Sequence, residues 1–408
     1  MIKKLLFIIA SIVSGAVLYS SVSTIIQRFD KHAAFVINPL NNRARLGYLY
    51  SELSGEVDQK NVPDLKQIAQ AGLEIDPYDA RFYSIIGLIE EAGGNEDVAQ
   101  NFYIHARKLM QTEQYALLRR FAYQFKIRDY LEATKISVLV YLRWKNHWPL
   151  IEPYLPILLS DTDAYNEIQN NFPLDGQGLQ ILMLSLRKSP SGLDIAQRLL
   201  LDWHKEGKIG VTAMVARINA SLIKEGRYAE AYRLFYLTLE KDKQKVAGYI
   251  FDSSFDYEAG DNPFDWRFKR EPGVSLGLVK TGRTKPDDKS LEIRFLGRPT
   301  DFKGVNQNIR LPASQFKLEV TYTNKDVKGP KPVIVGIFCK DRPQPIAQIQ
   351  LEKSNNPEQS ASKVFQVPDT KCDLQRVSIY NSNFSKSWKN LYSGTLLIHD
   401  IRLELAGG

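Results

Sequence analysis

The stretch AGLEIDPYDARFYSIIGLIEEAGGNEDVAQNFYIHARKLM, residues 71–110, sets the organisation of the chain. Its Tyr83, Gly87, Gly93-Gly94, Ala99, Tyr103 and Ala106 stand where two helices would close on each other, small residues at the crossing and large ones in the gaps. The pattern returns 34 residues later, mapping Tyr83 onto Leu117, Leu88 onto Ala122, Ala99 onto Ala133 and Ala106 onto Val140. That period is the length of one helix–turn–helix unit in a stacked array. It predicts helices over 79–92 and 95–110, then over 113–127 and 129–144. Gly93 and Gly94 end the first helix cheaply, and Asn95 is placed to cap the second. Upstream, helices over 43–56 and from Pro63 to Leu73 make a degenerate pair closing at Asp76-Pro77. Phe121 stands where a small residue is expected, so its pair should splay or shift.

The aromatic, Gly, Ala, aromatic, Ala and Pro positions of this stretch resemble the tetratricopeptide repeat (TPR) family. The resemblance implies a helical scaffold whose concave face binds peptide or protein segments. Beyond Trp144 the period fails: His147-Trp148-Pro149, Pro153, Pro156 and Asn170-Asn171-Phe172-Pro173 interrupt it. Helices resume over 176–188, 192–206 and 211–224. Gly226-Arg227-Tyr228-Ala229-Glu230-Ala231, with Phe235, repeats the second-helix motif, yet Ala231 follows Ala99 by 132 residues, not a multiple of 34. The array is therefore an irregular all-α solenoid, TPR-like over 30–248. At helical spacing, its many aromatics belong to the core. Arg119 and Arg120 are candidates for docking an acidic protein partner, against the plainer alternative of a solvated helix face.

Residues 5–26 carry no charge, follow Lys3-Lys4 and precede Arg28, Asp30 and Lys31. About 20 apolar residues suffice to cross a membrane as a helix, and basic residues at the start favour a cytoplasmic amino end. Residues 1–29 are read as a transmembrane signal anchor. The chain would then be a single-pass protein of the inner membrane with its bulk periplasmic. A cleaved signal peptide, cut near Ser21-Val22-Ser23, is the alternative, and it too exports the rest.

Near Gly248 the periodicity changes from helical to two. Leu291, Ile293 and Phe295 alternate with polar neighbours, as do Leu318, Val320 and Tyr322, and later Ile401, Leu403 and Leu405. With Gly, Pro, Asn and Asp clusters between, 249–408 reads as an antiparallel all-β sandwich. Phe251 to Tyr257 reads as an opening strand, followed by Trp266 and closed by Ile398-His399-Asp400-Ile401. That layout resembles the jelly-roll carbohydrate-binding modules of bacterial polysaccharide enzymes. The resemblance implies aromatic stacking on sugar rings, for which Trp266, Tyr322, Tyr380, Trp388 and Tyr392 are candidates, with Trp388 in a polar loop and Trp266 in an apolar segment. It also implies a structural calcium ion held by Asp252, Asp256 and Asp400; no other cofactor is expected. Cys339 and Cys372, the only two cysteines, are expected to form a disulfide in an exported chain.

A chain of 408 residues accommodates two or three domains, and 44% apolar content excludes global disorder. The net charge of +8 is spread beside acids rather than run together, so no nucleic-acid partner is expected. His32, His105, His147, His204 and His399 are scattered, and no phosphate loop, nucleophile elbow or zinc spacing occurs. The expectation is a non-enzymatic, membrane-anchored scaffold of the cell envelope, binding protein through its helices and glycan through its sandwich, in surface polysaccharide assembly or export. The alternative is an envelope-glycan enzyme with the sandwich as targeting module.

Overall fold

The structure, a computed structural model, describes residues 2–54, 60–208, 210–283, 288–353, 358–381 and 391–406, the side chains of 2–12 and 16 excepted. The chain divides into two compact units, Met1–Phe172 and Pro173–Gly408.

The first unit is helical: α1 (Ile2–Ile26), α2 (Lys31–Ile37), α3 (Asn42–Leu53), α4 (Val62–Ile75), α5 (Ala80–Ala92), α6 (Glu96–Leu109), α7 (Gln114–Lys126) and α8 (Tyr130–Arg143). Short turns α9 (Trp148–Ile151) and α10 (Leu155–Leu158) lead to α11 (Thr162–Asn171). From α2 to α8 each helix packs on the next, and α5 also meets α3 and α7. The helix starts are chemically marked: Asp79, Glu113 and Asp129 accept from backbone N–H groups of the first turns of α5, α7 and α8. Asn95 is not such a cap; its side chain donates instead to Glu90 Oε2 at 2.9 Å.

Glycines and aromatics interlock along this stack. A methyl group at Gly72 would lie 2.4 Å from the Phe82 ring, and one at Gly87 would lie 2.5 Å from Tyr103. Ala99 is fully buried in a cluster with Tyr103 and Ala106. Phe121 keeps its place by packing edge-on against Tyr154, ring centroids 5.8 Å apart. The segment expected to be broken by prolines holds α9 to α11 instead. Pro149 and Pro156 lie in first turns, where the missing N–H has no intrahelical partner to lose.

Among the described residues no helix is long and apolar enough to cross a membrane. The apolar run of 5–26 lies in α1, and part of it falls outside the described side chains. The C-terminal end of α1 packs on α2, where Ser23 Oγ donates to Ala34 O at 2.9 Å.

The second unit opens with α12 (Gly176–Leu186), α13 (Pro190–Lys205), α14 (Val211–Lys224), α15 (Tyr228–Leu237) and α16 (Lys241–Lys245). Among the described residues ten strands follow: β1 (Arg267–Phe268), β2 (Val274–Lys280), β3 (Lys289–Pro299), β4 (Val305–Ile309), β5 (Gln315–Lys328), β6 (Val333–Cys339), β7 (Pro345–Leu351), β8 (Gln359–Gln366), β9 (Gln375–Asn381) and β10 (Leu391–Leu405). They form two antiparallel five-stranded sheets, ordered β1-β4-β9-β6-β7 and β2-β3-β10-β5-β8. One core, including Leu291, Ile293, Val320, Val335, Ile379 and Ile401, fills the space between them. The division between compact units thus falls at 172/173, although the change from helix to strand comes only after Lys245.

The expected opening strand over 251–257 is a turn segment. Asp252 and Phe255 have φ values of 52° and 60°, a left-handed backbone incompatible with a continuous strand.

Candidate functional site

The outward face of the β4-β9-β6-β7 sheet is built by pairing register. Asn306 lies opposite Ser378, Ser378 opposite Gly336, and Gly336 opposite Gln348. These four residues form a row across four strands, with the smallest side chains at its centre. On one side of the row Ile334 pairs with Tyr380, and on the other Phe338 pairs with Arg376. The Tyr380 and Phe338 rings lean towards each other over Gly336, centroids 5.5 Å apart and near edge-to-face. A methyl at Gly336 would sit 3.0 Å from Tyr380 and 3.2 Å from Phe338, so the missing side chain lets the rings close over the strand. The Arg376 guanidinium caps Phe338, 5.8 Å from its ring centroid. A groove of about 970 Å³ runs over this surface, lined by both rings, Asn306, Gln348 and Ile346.

Buried amides hold this face in place from behind. Gln375, at the start of β9, accepts from Leu311 N at 2.7 Å and donates to the Leu311 and Cys372 carbonyls. Asn381, at the end of β9, accepts from Phe302 N at 3.0 Å and donates to Thr300 O at 3.1 Å. Both side chains are fully buried, so their hydrogen bonds are satisfied inside the protein and cost energy to break. Cys339 and Cys372 form a disulfide that ties the end of β6 to the approach to β9. Closing a loop of that span, a sequence separation of 33, contributes about 3–4 kcal/mol in the chain-entropy picture. Arg376, Ser378 and Tyr380 therefore project from a strand fixed at both ends.

The other sheet presents a polar cavity of about 600 Å³ lined by Arg283, Glu358, His399 and Asp400. Arg283 is held by both oxygens of Glu358, at 2.6 and 2.7 Å. His399 sits where the β10–β5 register shifts between Ile398 and Asp400. Its Nδ1 meets Ser290 Oγ at 2.7 Å and its Nε2 meets Thr323 Oγ1 at 2.8 Å. Burial first, then the Arg283 charge, lowers its pKa to about 4.

The expected stacking residues separate sharply. Tyr380 lies in the groove. Trp266 does not: it is buried, its Nε1 donates to Asp252 O at 2.9 Å, and its ring packs on Phe255. Tyr392 is fully buried against Phe295 and donates to Lys331 O at 3.0 Å. Tyr322 is buried in the same core and donates to Glu352 O. Neither tyrosine can face a ligand, because the register turns both inward. Trp388 lies outside the described residues.

Of the expected calcium ligands, Asp256 and Asp400 line the polar cavity and Asp252 lies beside Asp256, but among the described residues no group of three or more His, Cys, Asp or Glu is placed to hold a metal ion. The Asp252 carboxylate accepts from the Asp256 and Tyr257 N–H groups, at 2.7 and 3.1 Å, as a turn brace. Burial raises its pKa to about 6. Asp400 pairs with Arg402 instead. Of the docking candidates on α7, Arg119 pairs with Glu91 at 3.3 Å and Arg120 donates to Gln100 at 3.2 Å.

Phe338, Gly336, Arg376, Asn306 and Gln348 were not legible as site residues. In Val333 to Cys339 both faces are apolar or small, so the sequence does not mark which alternate set meets solvent.

No protein-family model and no curated protein matches the sequence. Among solved structures, the chain is similar to a CBM4 module at 14% identity and TM-score 0.29, covering 40% of this chain and 99% of that one. It is similar to Family 16 Carbohydrate Binding Module-2 at 14% identity and TM-score 0.28, covering 38% and 99%. It is also similar to a Stig cyclase, Fisc, from Fischerella sp. TAU, at 16% identity and TM-score 0.28, covering 40% and 96%. The C-terminal part of the chain is a two-sheet antiparallel β-sandwich. At these scores the likeness carries no argument about what this chain binds, which rests on the groove itself.

Proposed function

We propose that the chain is a non-enzymatic adaptor of the bacterial cell envelope that grips a glycan through the outward face of β4, β9, β6 and β7. The observation that carries this reading is the row Asn306–Ser378–Gly336–Gln348 flanked by the Tyr380 and Phe338 rings. A sugar ring has apolar C–H faces and a hydroxyl rim. Paired aromatic rings offer the first a surface, and amide and hydroxyl side chains offer the second donors and acceptors. The groove is fixed in advance by the buried amides and the disulfide, which reduces the ordering cost of binding.

The Cys339–Cys372 bridge supports a location outside the reducing cytoplasm. The stacked helices α3 to α8 are the surface assigned to a protein partner, in surface polysaccharide assembly or export. The same reading places residues 5–26 in a membrane. Release of the full-length chain from membranes by alkaline extraction would overturn that anchor.

The glycan reading is tested with the full chain on an array of bacterial and plant polysaccharides, followed by titration calorimetry of any ligand found. Tyr380→Ala should weaken binding about tenfold or more, as removal of a central aromatic anchor does. Its circular dichroism melt should stay close to wild type. Unchanged affinity in Tyr380→Ala, or no glycan bound, sinks the reading. Turnover of a bound polysaccharide by the full chain would favour an enzyme instead.

A further inference from the structure

We infer that the groove takes an acidic polysaccharide, one carrying carboxylate or sulfate groups along its sugars, in preference to a neutral one. This inference rests on the glycan-binding reading and adds its charge. Three cationic side chains line the groove, Lys303, Lys363 and Arg376, and none of the described lining residues is Asp or Glu. They come from different elements: Arg376 from β9, Lys363 from β8 and Lys303 from the segment before β4. Lys303 also pairs with Asp301 at 3.2 Å, so its charge is partly answered already. Arg376 lies over Phe338, which aims its planar donor fork beside the aromatic surface where a sugar would stack. A neighbouring cavity of about 650 Å³ shares Phe338, Pro343 and Arg376 and adds Lys340 and Arg342 against a single acid, Asp341.

The opposite sheet supplies the contrast. Its polar cavity mixes Arg283, Lys289 and Arg402 with Asp256, Glu319 and Glu358, and the charges answer one another there. A concave surface lined by one sign over a low-dielectric sheet concentrates the opposite charge, whereas a mixed one does not. A neutral glycan would offer the charges of Lys363 and Arg376 only neutral acceptors, and an anionic chain would meet them with charge-assisted hydrogen bonds. The basic excess of the chain as a whole, +8, adds long-range attraction of the same sign.

The test titrates the full chain with four probes: polygalacturonate for carboxylates, dextran sulfate for sulfates, unmodified dextran with laminarin as neutral glycans, and polyglutamate as an anion without sugar. Polygalacturonate or dextran sulfate should bind about tenfold or more tighter than the neutral glycans, and the preference should shrink as salt rises from 50 to 300 mM. The stronger of the two names the acidic group. The double variant Lys363→Gln/Arg376→Gln should lose that preference, with its thermal melt kept. Tyr380→Ala should weaken acidic and neutral glycans alike. Equal binding of neutral and acidic glycans overturns this inference and leaves the glycan reading standing. Polyglutamate binding as tightly as the acidic glycans also overturns it, since charge alone would then suffice. Failure of every glycan, acidic and neutral, overturns the glycan reading beneath it.

Discussion

His399 and Asp252 are two buried titratable groups of the same sandwich, and they respond to acid in opposite directions. The imidazole is engaged at both nitrogens by Ser290 and Thr323 and stays neutral, its pKa lowered from 6.5 to about 4 by burial and Arg283. Between those values the unfolded chain binds a proton that the native state refuses. Its contribution is therefore complete above pH 6.5 and is lost as pH falls towards 4. Asp252 is raised from 3.8 to about 6, so over nearly the same window the native state holds a proton that the unfolded chain releases. Its effect opposes that of His399, stabilising the fold as pH falls from 6 to 3.8. In His399→Gln, which keeps a donor and an acceptor without titrating, only the second effect remains. Going from pH 7 to 4.5, wild type should lose about 2 kcal/mol relative to this variant, a value discounted for residual hydration. Urea denaturation at both pH values measures it, and identical pH responses would contradict the assignment. Little of this was visible beforehand. A lone histidine in Ile398-His399-Asp400 says nothing of a register shift that leaves it between two strands, and Asp252, which the resemblance to carbohydrate-binding modules pointed to as a calcium ligand, braces a turn. Tyr392 and Tyr322 misled for a related reason, since period-two patterning does not tell which face meets the second sheet.

At the scale of the element, the helices of the first unit were the most legible feature, because their spacing expresses a physical constraint. Gly72 faces Phe82, and Gly87 faces Tyr103; in each case a ring fills the notch that glycine leaves on the preceding helix. Inside a helix, replacing glycine by alanine ordinarily stabilises by about 1 kcal/mol. Here the sign should reverse. A methyl at Gly87 would stand 2.5 Å from the Tyr103 ring, which is fully buried and anchored by its hydroxyl to Glu91 at 2.7 Å. Gly87→Ala should lower stability by about 1–3 kcal/mol, the usual cost of overpacking. Ala99→Leu should do the same within this cluster. Adding Tyr103→Leu to Gly87→Ala should recover part of the loss by relieving the clash. A Gly87→Ala melt at or above wild type would show that the two helices are not locked by this contact. The prolines were harder to read, since the same residue stops one helix and starts the next. Pro149 and Pro156 looked like breaks in the pattern and are found in first turns of new helical segments.

The chain as a whole is divided where its composition gives no sign. The change from helical to alternating patterning near Gly248 is plain in the sequence, and the sandwich and its strands follow from it. The compact unit nevertheless begins at Pro173, because α14 and α15 pack with the sandwich and α12 and α13 pack on α14. The reason lies in side chains far apart in sequence. Phe264, buried to within 1%, meets Tyr232 at 5.3 Å and Phe235 at 5.5 Å, and Phe251 meets Phe235 edge-on at 5.3 Å. Lys340, just beyond β6, donates to Ile223 O and to the Tyr228 hydroxyl, both at 3.1 Å, with its ammonium over the Tyr228 ring. Asn219 donates to Asn262 across the same boundary at 3.4 Å. No local periodicity could have announced these contacts. They make a clear demand on truncation. A fragment of residues 173–408 should unfold cooperatively, whereas one of 249–408 would bare Phe251 and Phe264 and leave Lys340 without its partners. Uncovering two phenylalanines costs about 3–6 kcal/mol, a large share of the stability of a single domain. The shorter fragment should therefore melt at a markedly lower temperature and bind a hydrophobic dye, with its disulfide formed in both fragments. If instead the two fragments melt together and neither binds dye, the sandwich is independent of α12 to α15. The aromatic contacts at Phe235 would then be a covering without consequence for its stability.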